Sequence, residues 1–150
     1  MLVPVGKHKG KSAELLVLKE PGYVHWLLEQ PASGPLLALQ KEVQHLIKRF
    51  DQKPFHVKCN GNACSAQASR FSAYGNSISP YWWCDSCDPY QMGAIAGKLQ
   101  IFRSYSSALT HVEFYCAGLQ SDYKELVKAI AQAKGLPSRV GEPQAVAFFK

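Results

Sequence analysis

Apolar positions along the chain follow two different periods. Leu36, Leu39, Val43, Leu46, Ile47 and Phe50 recur at steps of three and four, which lays one buried stripe along a helix over residues 36–50. Gln40, Lys41, Gln44, Lys48 and Arg49 take its other faces, and Asp51-Gln52-Lys53-Pro54 ends it. A shorter helix is predicted over residues 22–30, opened by Pro21, whose missing N–H is not needed in a first turn. Val24, Leu27 and Leu28 form its stripe, with Tyr23 and Trp26 on the flanks. Pro31-Ala32-Ser33-Gly34-Pro35 is too rich in breakers to join the two helices. Ahead of them, Val3–Val5 reads as a short strand running into a glycine-punctuated turn, Gly6–Lys11.

Further along, the period shortens. Residues 67–73 and 80–83 have strand character on either side of a turn at Gly75-Asn76-Ser77. Asp88-Pro89 opens a predicted helix through Lys98, and residues 101–105 and 110–116 read as strands. Asp122 with Glu125 three positions on matches a capping box, starting a helix over 123–134 that turns Leu126, Val127 and Ile130 inward. Gly135 is its natural C-terminal cap, and Gln144–Phe149 reads as a final strand. The expected class is α+β: a helical module (1–53), a cysteine-rich β module (54–116) and a C-terminal helix and strand (117–150), packed as one unit.

Charge divides the chain along the same lines. The net +6 of the 150 residues splits into +4 over residues 1–58, zero over 59–116 and +2 over 117–150. A hydrophobic fraction of 47% excludes wholesale disorder. No apolar run of membrane-spanning length occurs, and Met1-Leu2-Val3-Pro4-Val5 lacks the layout of a secretion signal. A cytoplasmic protein with reduced thiols is the expectation, without membrane association.

Those thiols carry the strongest chemical signal. Cys59 and Cys64, then Cys84 and Cys87, form two close pairs with 19 residues between them. Two thiolates separated by a tight turn converge on one metal ion, and Asn60-Gly61 supplies turn conformations between the first two. Hairpins carrying two such knuckles are the plan of a zinc ribbon, and four thiolates select structural Zn2+ over hard cations. An iron–sulfur cluster uses the same ligands, and Cys84–Cys87 alone would make a redox pair. His56, three positions before Cys59, is the substitute ligand if one cysteine drops out, ahead of His111. Cys116 reads as a small buried apolar residue on a strand. With zinc on four thiolates the β module becomes negative, and the excess positive charge lies in its flanks.

The flanking basic segment has its own signature. Lys7, His8, Lys9 and Lys11 fall within five positions, beside glycines that permit close backbone approach, which suits phosphate contact. A solvated basic hairpin is the alternative reading of the same residues. Arg70 extends the cationic set, and Tyr81 and Trp82 beside the second knuckle are candidates for stacking on bases. The order Gly6-Lys7-His8-Lys9-Gly10-Lys11, then Pro21-Gly22-Tyr23-Val24-His25-Trp26-Leu27-Leu28, resembles the small C-terminal domain of exodeoxyribonuclease X-like proteins. The resemblance covers about the first 35 residues, with His8 where an aromatic is usual and Glu20 where Asp is common. It implies a setting in nucleic-acid metabolism, DNA before RNA, without implying a reaction.

Catalytic motifs do not appear. There is no GxSxG, no phosphate-binding GxxxxGK[ST] and no HExxH, and the 11 acids are few, with the neighbours Asp85 and Asp88 flanking a knuckle rather than forming a nuclease-like motif. The expected function is a zinc-stabilised nucleic-acid-binding accessory protein. A zinc-ribbon adaptor for a protein partner is the alternative, and a nuclease comes third.

Overall fold

A computed structural model describes residues 1–92 and 99–150. Among the described residues it contains six α-helices and a three-stranded antiparallel sheet, an α+β fold. Val3 and Lys11 pair through their backbones on either side of the basic turn, with a bridge between Leu2 and Ser12. Then follow α1 (Ala13–Lys19), α2 (Pro21–Glu29) and α3 (Gly34–Gln52). The sheet comprises β1 (Arg70–Tyr74), β2 (Tyr81–Trp83) and β3 (Leu99–Phe102) in the order β2-β1-β3. Helices α4 (Tyr105–Tyr115), α5 (Gln120–Ala133) and α6 (Glu142–Phe148) complete the chain.

Helices α2 and α3 and the two strands flanking Gly75-Asn76-Ser77 lie where the periodicity puts them. Helix α1 has no counterpart in that pattern. Leu15-Leu16-Val17-Leu18 runs without a polar break, which periodicity cannot tell from a buried strand. Ser12 settles it as an N-cap whose hydroxyl accepts from the Leu15 N–H at 3.0 Å. Leu16, Val17 and Leu18 are then buried beneath α3, α5 and α6.

Two predicted strands become helices. Residues 110–116 belong mostly to α4, because Ser104 caps Ser107 N at 3.1 Å and the Asp51 carboxylate accepts from Tyr105 N at 2.8 Å. Tyr105, Ala108, Leu109 and Val112 then face the core at helical spacing, overriding the β preference of Val112–Tyr115. Cys116 consequently sits at the C-terminal cap of α4, half-buried, rather than on a strand. The strand expected at 101–105 is displaced to β3, which ends at Phe102. Residues 144–149 are not a strand either: Pro143 stands in the first turn of α6, and Gln144 Oε1 accepts from Gly141 N at 2.9 Å.

The start of α5 also moves. Its N-cap is Leu119, three residues before the capping box expected at Asp122, which instead sits inside the first turn. Gln120 is held there by packing on Gly22, where a Cβ would collide with the Gln120 amide. Gly135 ends α5 with φ +101°, as a C-terminal cap requires. The helix predicted through Lys98 begins as a single 3₁₀ turn, Pro89–Met92, and the rest of it lies outside the described residues, apart from Leu99, which opens β3.

One apolar core runs from Val3 to Phe149 and a second, smaller cluster surrounds Cys59, Trp83 and Cys84. The sheet separates them. Phe71, opposite both Trp82 and Phe102, faces the helices, while Trp83 faces the cysteines and donates its indole N–H to Ser72 Oγ at 2.7 Å.

Candidate metal centre and basic turn

The sequence folds Cys59–Cys64 and Cys84–Cys87 into two facing turns. Asn60 joins them: its N–H donates to the Trp82 carbonyl at 2.7 Å, and its side-chain oxygen accepts from Trp82 N at 2.6 Å. Cys64 N returns to the Gly61 carbonyl at 3.1 Å, closing the first turn. Ala63 pays for that closure with φ +55°, a left-handed conformation unfavourable for any residue with a Cβ. As a result the four sulfur atoms lie within 4.8 Å of one another, and all four thiols are free.

The fit to a metal ion can be judged from the sulfur spacing. A zinc–sulfur bond of about 2.3 Å implies S···S edges of about 3.8 Å in a regular tetrahedron. Cys64 Sγ and Cys84 Sγ stand 3.9 Å apart, almost twice the length of a disulfide bond. Gly61 makes room for the group. A Cβ there would lie 2.7 Å from Cys87 Sγ and 3.3 Å from Cys59 Sγ, while the Gly61 N–H donates to Cys59 Sγ at 3.3 Å. Cys59 and Cys84 are buried, Cys64 and Cys87 half-buried, so the ligand set is nearly closed to solvent.

Proton affinities within the set diverge. The Ser86 N–H, donating to Cys84, lowers its thiol to about 7. Cys87 is pushed up to about 12, because Cys84 and then Cys59 hold its proton by hydrogen bonding. Four thiols crowded together cannot all ionise without a cation among them. His56 and His111 are not members of the group. His56 is exposed beside Gly135, and His111 is buried with Nε2 donating to the Ser77 carbonyl at 2.7 Å.

Arg70 reaches across from β1 to this centre. Its guanidinium donates to the Cys84 carbonyl at 3.2 Å and to the Cys87 carbonyl, so it braces the second knuckle. Tyr81 is 45% exposed at the outer end of β2. Trp82 turns away from the cysteines and packs on Phe55 and Phe71, with ring centroids 5.5 and 6.0 Å away.

Lys7 and Lys9 project from the basic turn into solvent, and Lys11 is half-buried, donating to His8 Nδ1 at 3.1 Å. His8 is 4% exposed and lies edge-on to Tyr23. Among the described residues, Lys7, Lys9 and Lys11 form no ion pair with a carboxylate.

A group with no signal in the linear sequence joins α2 to α4. His25 Nε2 lies 3.1 Å from Glu113 and 3.5 Å from Glu29, with its ring stacked on Tyr123 at 5.5 Å. Spacing within α2 relates His25 to Glu29, but only the fold brings in Glu113.

These features define an α+β protein with four cysteines gathered at metal-binding distance. The chain matches no family model, no curated protein and no solved structure. No helix among the described residues is long and apolar enough to cross a membrane.

Proposed function

We propose that this protein is a nucleic-acid-binding accessory protein, DNA before RNA, whose ribbon is held by a structural zinc ion. The observation that carries the reading is the basic turn. Its backbone is fixed by Val3 N to Lys11 O at 2.8 Å and Gly10 N to Val3 O at 3.0 Å, yet Lys7 and Lys9 remain exposed. Cations presented on a rigid turn contact phosphates at little entropic cost. The resemblance of the first 35 residues to exodeoxyribonuclease X-like C-terminal domains supports the same reading. Zinc accounts for a four-thiolate set that is nearly closed, a coordination with no place for substrate water. The protein's role is therefore binding rather than catalysis.

The test is an oligonucleotide titration at several salt concentrations, with single- and double-stranded DNA and RNA. Phosphate binding predicts affinity falling steeply with salt, and Lys7→Glu, Lys9→Glu and Lys11→Glu together abolishing it while the zinc content stays unchanged. A flat salt response would overturn the reading. One observation favours an adaptor for a protein partner instead: Phe114, near the end of α4, is 71% exposed, and Leu119, the N-cap of α5, is 57% exposed. That second reading stands if no oligonucleotide binds at any salt concentration.

A further inference from the structure

The two motifs near the start of the chain meet around one cavity. Gly6, at φ +87°, brings the basic turn against the Tyr23 hydroxyl, 3.8 Å from where a Cβ would sit. His8 packs edge-on against Tyr23 at 4.8 Å, and Tyr23 lies beside Trp26 at 5.4 Å. The start of α5 is pressed onto the start of α2 through Gln120 and Gly22. Between the turn and the two helix starts is an open cavity of about 340 Å³.

Its walls suit an anion joined to a flat ring. Gly22 and Tyr23 line it from the first turn of α2; Pro21 carries no N–H and Val24 N donates to the Glu20 carbonyl at 3.1 Å, so the Gly22 and Tyr23 N–H groups are the ones left without an intrahelical acceptor or a side-chain cap from Glu20. Lys7 and Lys124 flank it from the turn and from α5. His8 adds a donor. Its Nδ1 accepts from the Lys11 ammonium, so Nε2 carries the proton, and that nitrogen is buried with no partner. Burial and then Lys11 lower the His8 pKa, which keeps the ring in this neutral form. Trp26, 48% exposed, offers a ring face at the rim. One group opposes an anion: the Glu20 carboxylate also lines the cavity and holds Lys124 at 3.6 Å.

We propose that this cavity binds a nucleoside monophosphate group, free or at the end of a strand. The phosphate lies at the first turn of α2 between Lys7 and Lys124, displacing Glu20 from Lys124, and the base lies on Trp26. A base-bearing ligand is chosen over a bare phosphate because the aromatic face adjoins the cationic one, and that choice rests on the nucleic-acid reading above.

Calorimetric titration of the zinc-loaded full chain tests it, with dAMP, AMP, deoxyadenosine and inorganic phosphate. Parallel titrations use one oligonucleotide with a 5′-phosphate or a 5′-hydroxyl. The expected result is saturable binding of a mononucleotide, with deoxyadenosine and phosphate each much weaker. Lys7→Glu and Trp26→Ala should each weaken it roughly tenfold, the scale of one lost stacking or phosphate contact. Glu20→Gln should tighten it, a change that simple loss of structure would not produce. Preference for the 5′-phosphate places the ligand at a strand end; equal binding of both oligonucleotides with retained dAMP binding places it as a free nucleotide. The proposal is overturned if neither nucleotide binds, if binding ignores both Lys7→Glu and Trp26→Ala, or if phosphate binds as tightly as dAMP. Oligonucleotide binding with a steep salt response but no mononucleotide binding would sink the cavity alone. Mononucleotide binding without any oligonucleotide binding would instead sink the wider reading.

Discussion

The Lys134 ammonium donates to the Phe50 carbonyl at 2.8 Å and stands 4.9 Å over the ring of the same residue. It also donates to the Lys53 carbonyl at 3.0 Å and lies 4.7 Å over the Phe55 ring. A cation from the end of α5 thus serves as the C-terminal cap of α3, satisfying carbonyls that a helix end leaves without partners. Lys134→Met removes this cap and should destabilise the fold by about 1–3 kcal/mol, read from the urea midpoint.

The same lysine gives stability a pH dependence of definite sign. Burial holds its pKa down to about 8, from 10.5 in the unfolded chain. Between those values the unfolded chain binds more protons than the folded one, so the contribution of Lys134 to stability rises with pH. The stability difference between the parent and Lys134→Met should therefore widen from pH 7.5 to pH 10 in paired denaturation curves. A difference that narrowed would contradict the burial of a charged amine.

Metal binding should respond to acid in the same direction. Thiols must lose protons to become ligands, and Cys87, pushed up to about 12, loses its proton only when a cation replaces it. Loading the metal-free chain with zinc near neutrality should release protons. Zinc retention should fail as pH drops, monitored with a chromophoric chelator. Replacing Cys59 or Cys84 with Ser should remove the metal from purified protein, measured by elemental analysis.

Two positions in the first knuckle should move metal retention in opposite directions without touching a ligand. Gly61→Ala puts a methyl group 2.7 Å from Cys87 Sγ and should speed zinc loss to a chelator. Ala63→Gly relieves the positive φ and should stabilise the loaded protein by about 0.5–1 kcal/mol. Thermal melts with and without zinc check both.

Arg70 and the two aromatics should separate by what they affect. Arg70→Lys cannot reproduce a fork reaching both the Cys84 and Cys87 carbonyls, so it should accelerate zinc release. Trp82→Ala should lower the melting temperature, since its ring is packed on Phe55 and Phe71. Tyr81→Ala should leave the melt unchanged and weaken single-stranded DNA binding by about 1–3 kcal/mol, the scale of one stacked base.

Elements with a polar face were legible from the chain alone. Helix α3 alternates apolar and polar positions over its whole length, and the cysteine spacing singled out the four residues whose sulfurs lie within 4.8 Å of one another. Helix α1 has too little polar contrast, and α4 and α6 are short runs of residues that favour strands until a capping group fixes them. Ser104 and Gln144 were the available signals for those helices. Convergence was not legible at all. Nothing in the linear pattern places Lys124 beside Lys7, Glu113 beside His25, or Lys134 on the end of α3.

The four clustered cysteines fall within 29 consecutive residues, whereas α1 packs on α5 and α6 from the far end of the chain, where Glu142 accepts from Ser12 N at 3.0 Å. On a ribosome these parts become available at different times. The two cysteine pairs can meet while the helical core still lacks α4, α5 and α6, and the apolar face of α1 waits uncovered until residue 142 emerges. Closure of the cysteine cluster and shielding of α1 are thus separate demands, the first met early and the second late.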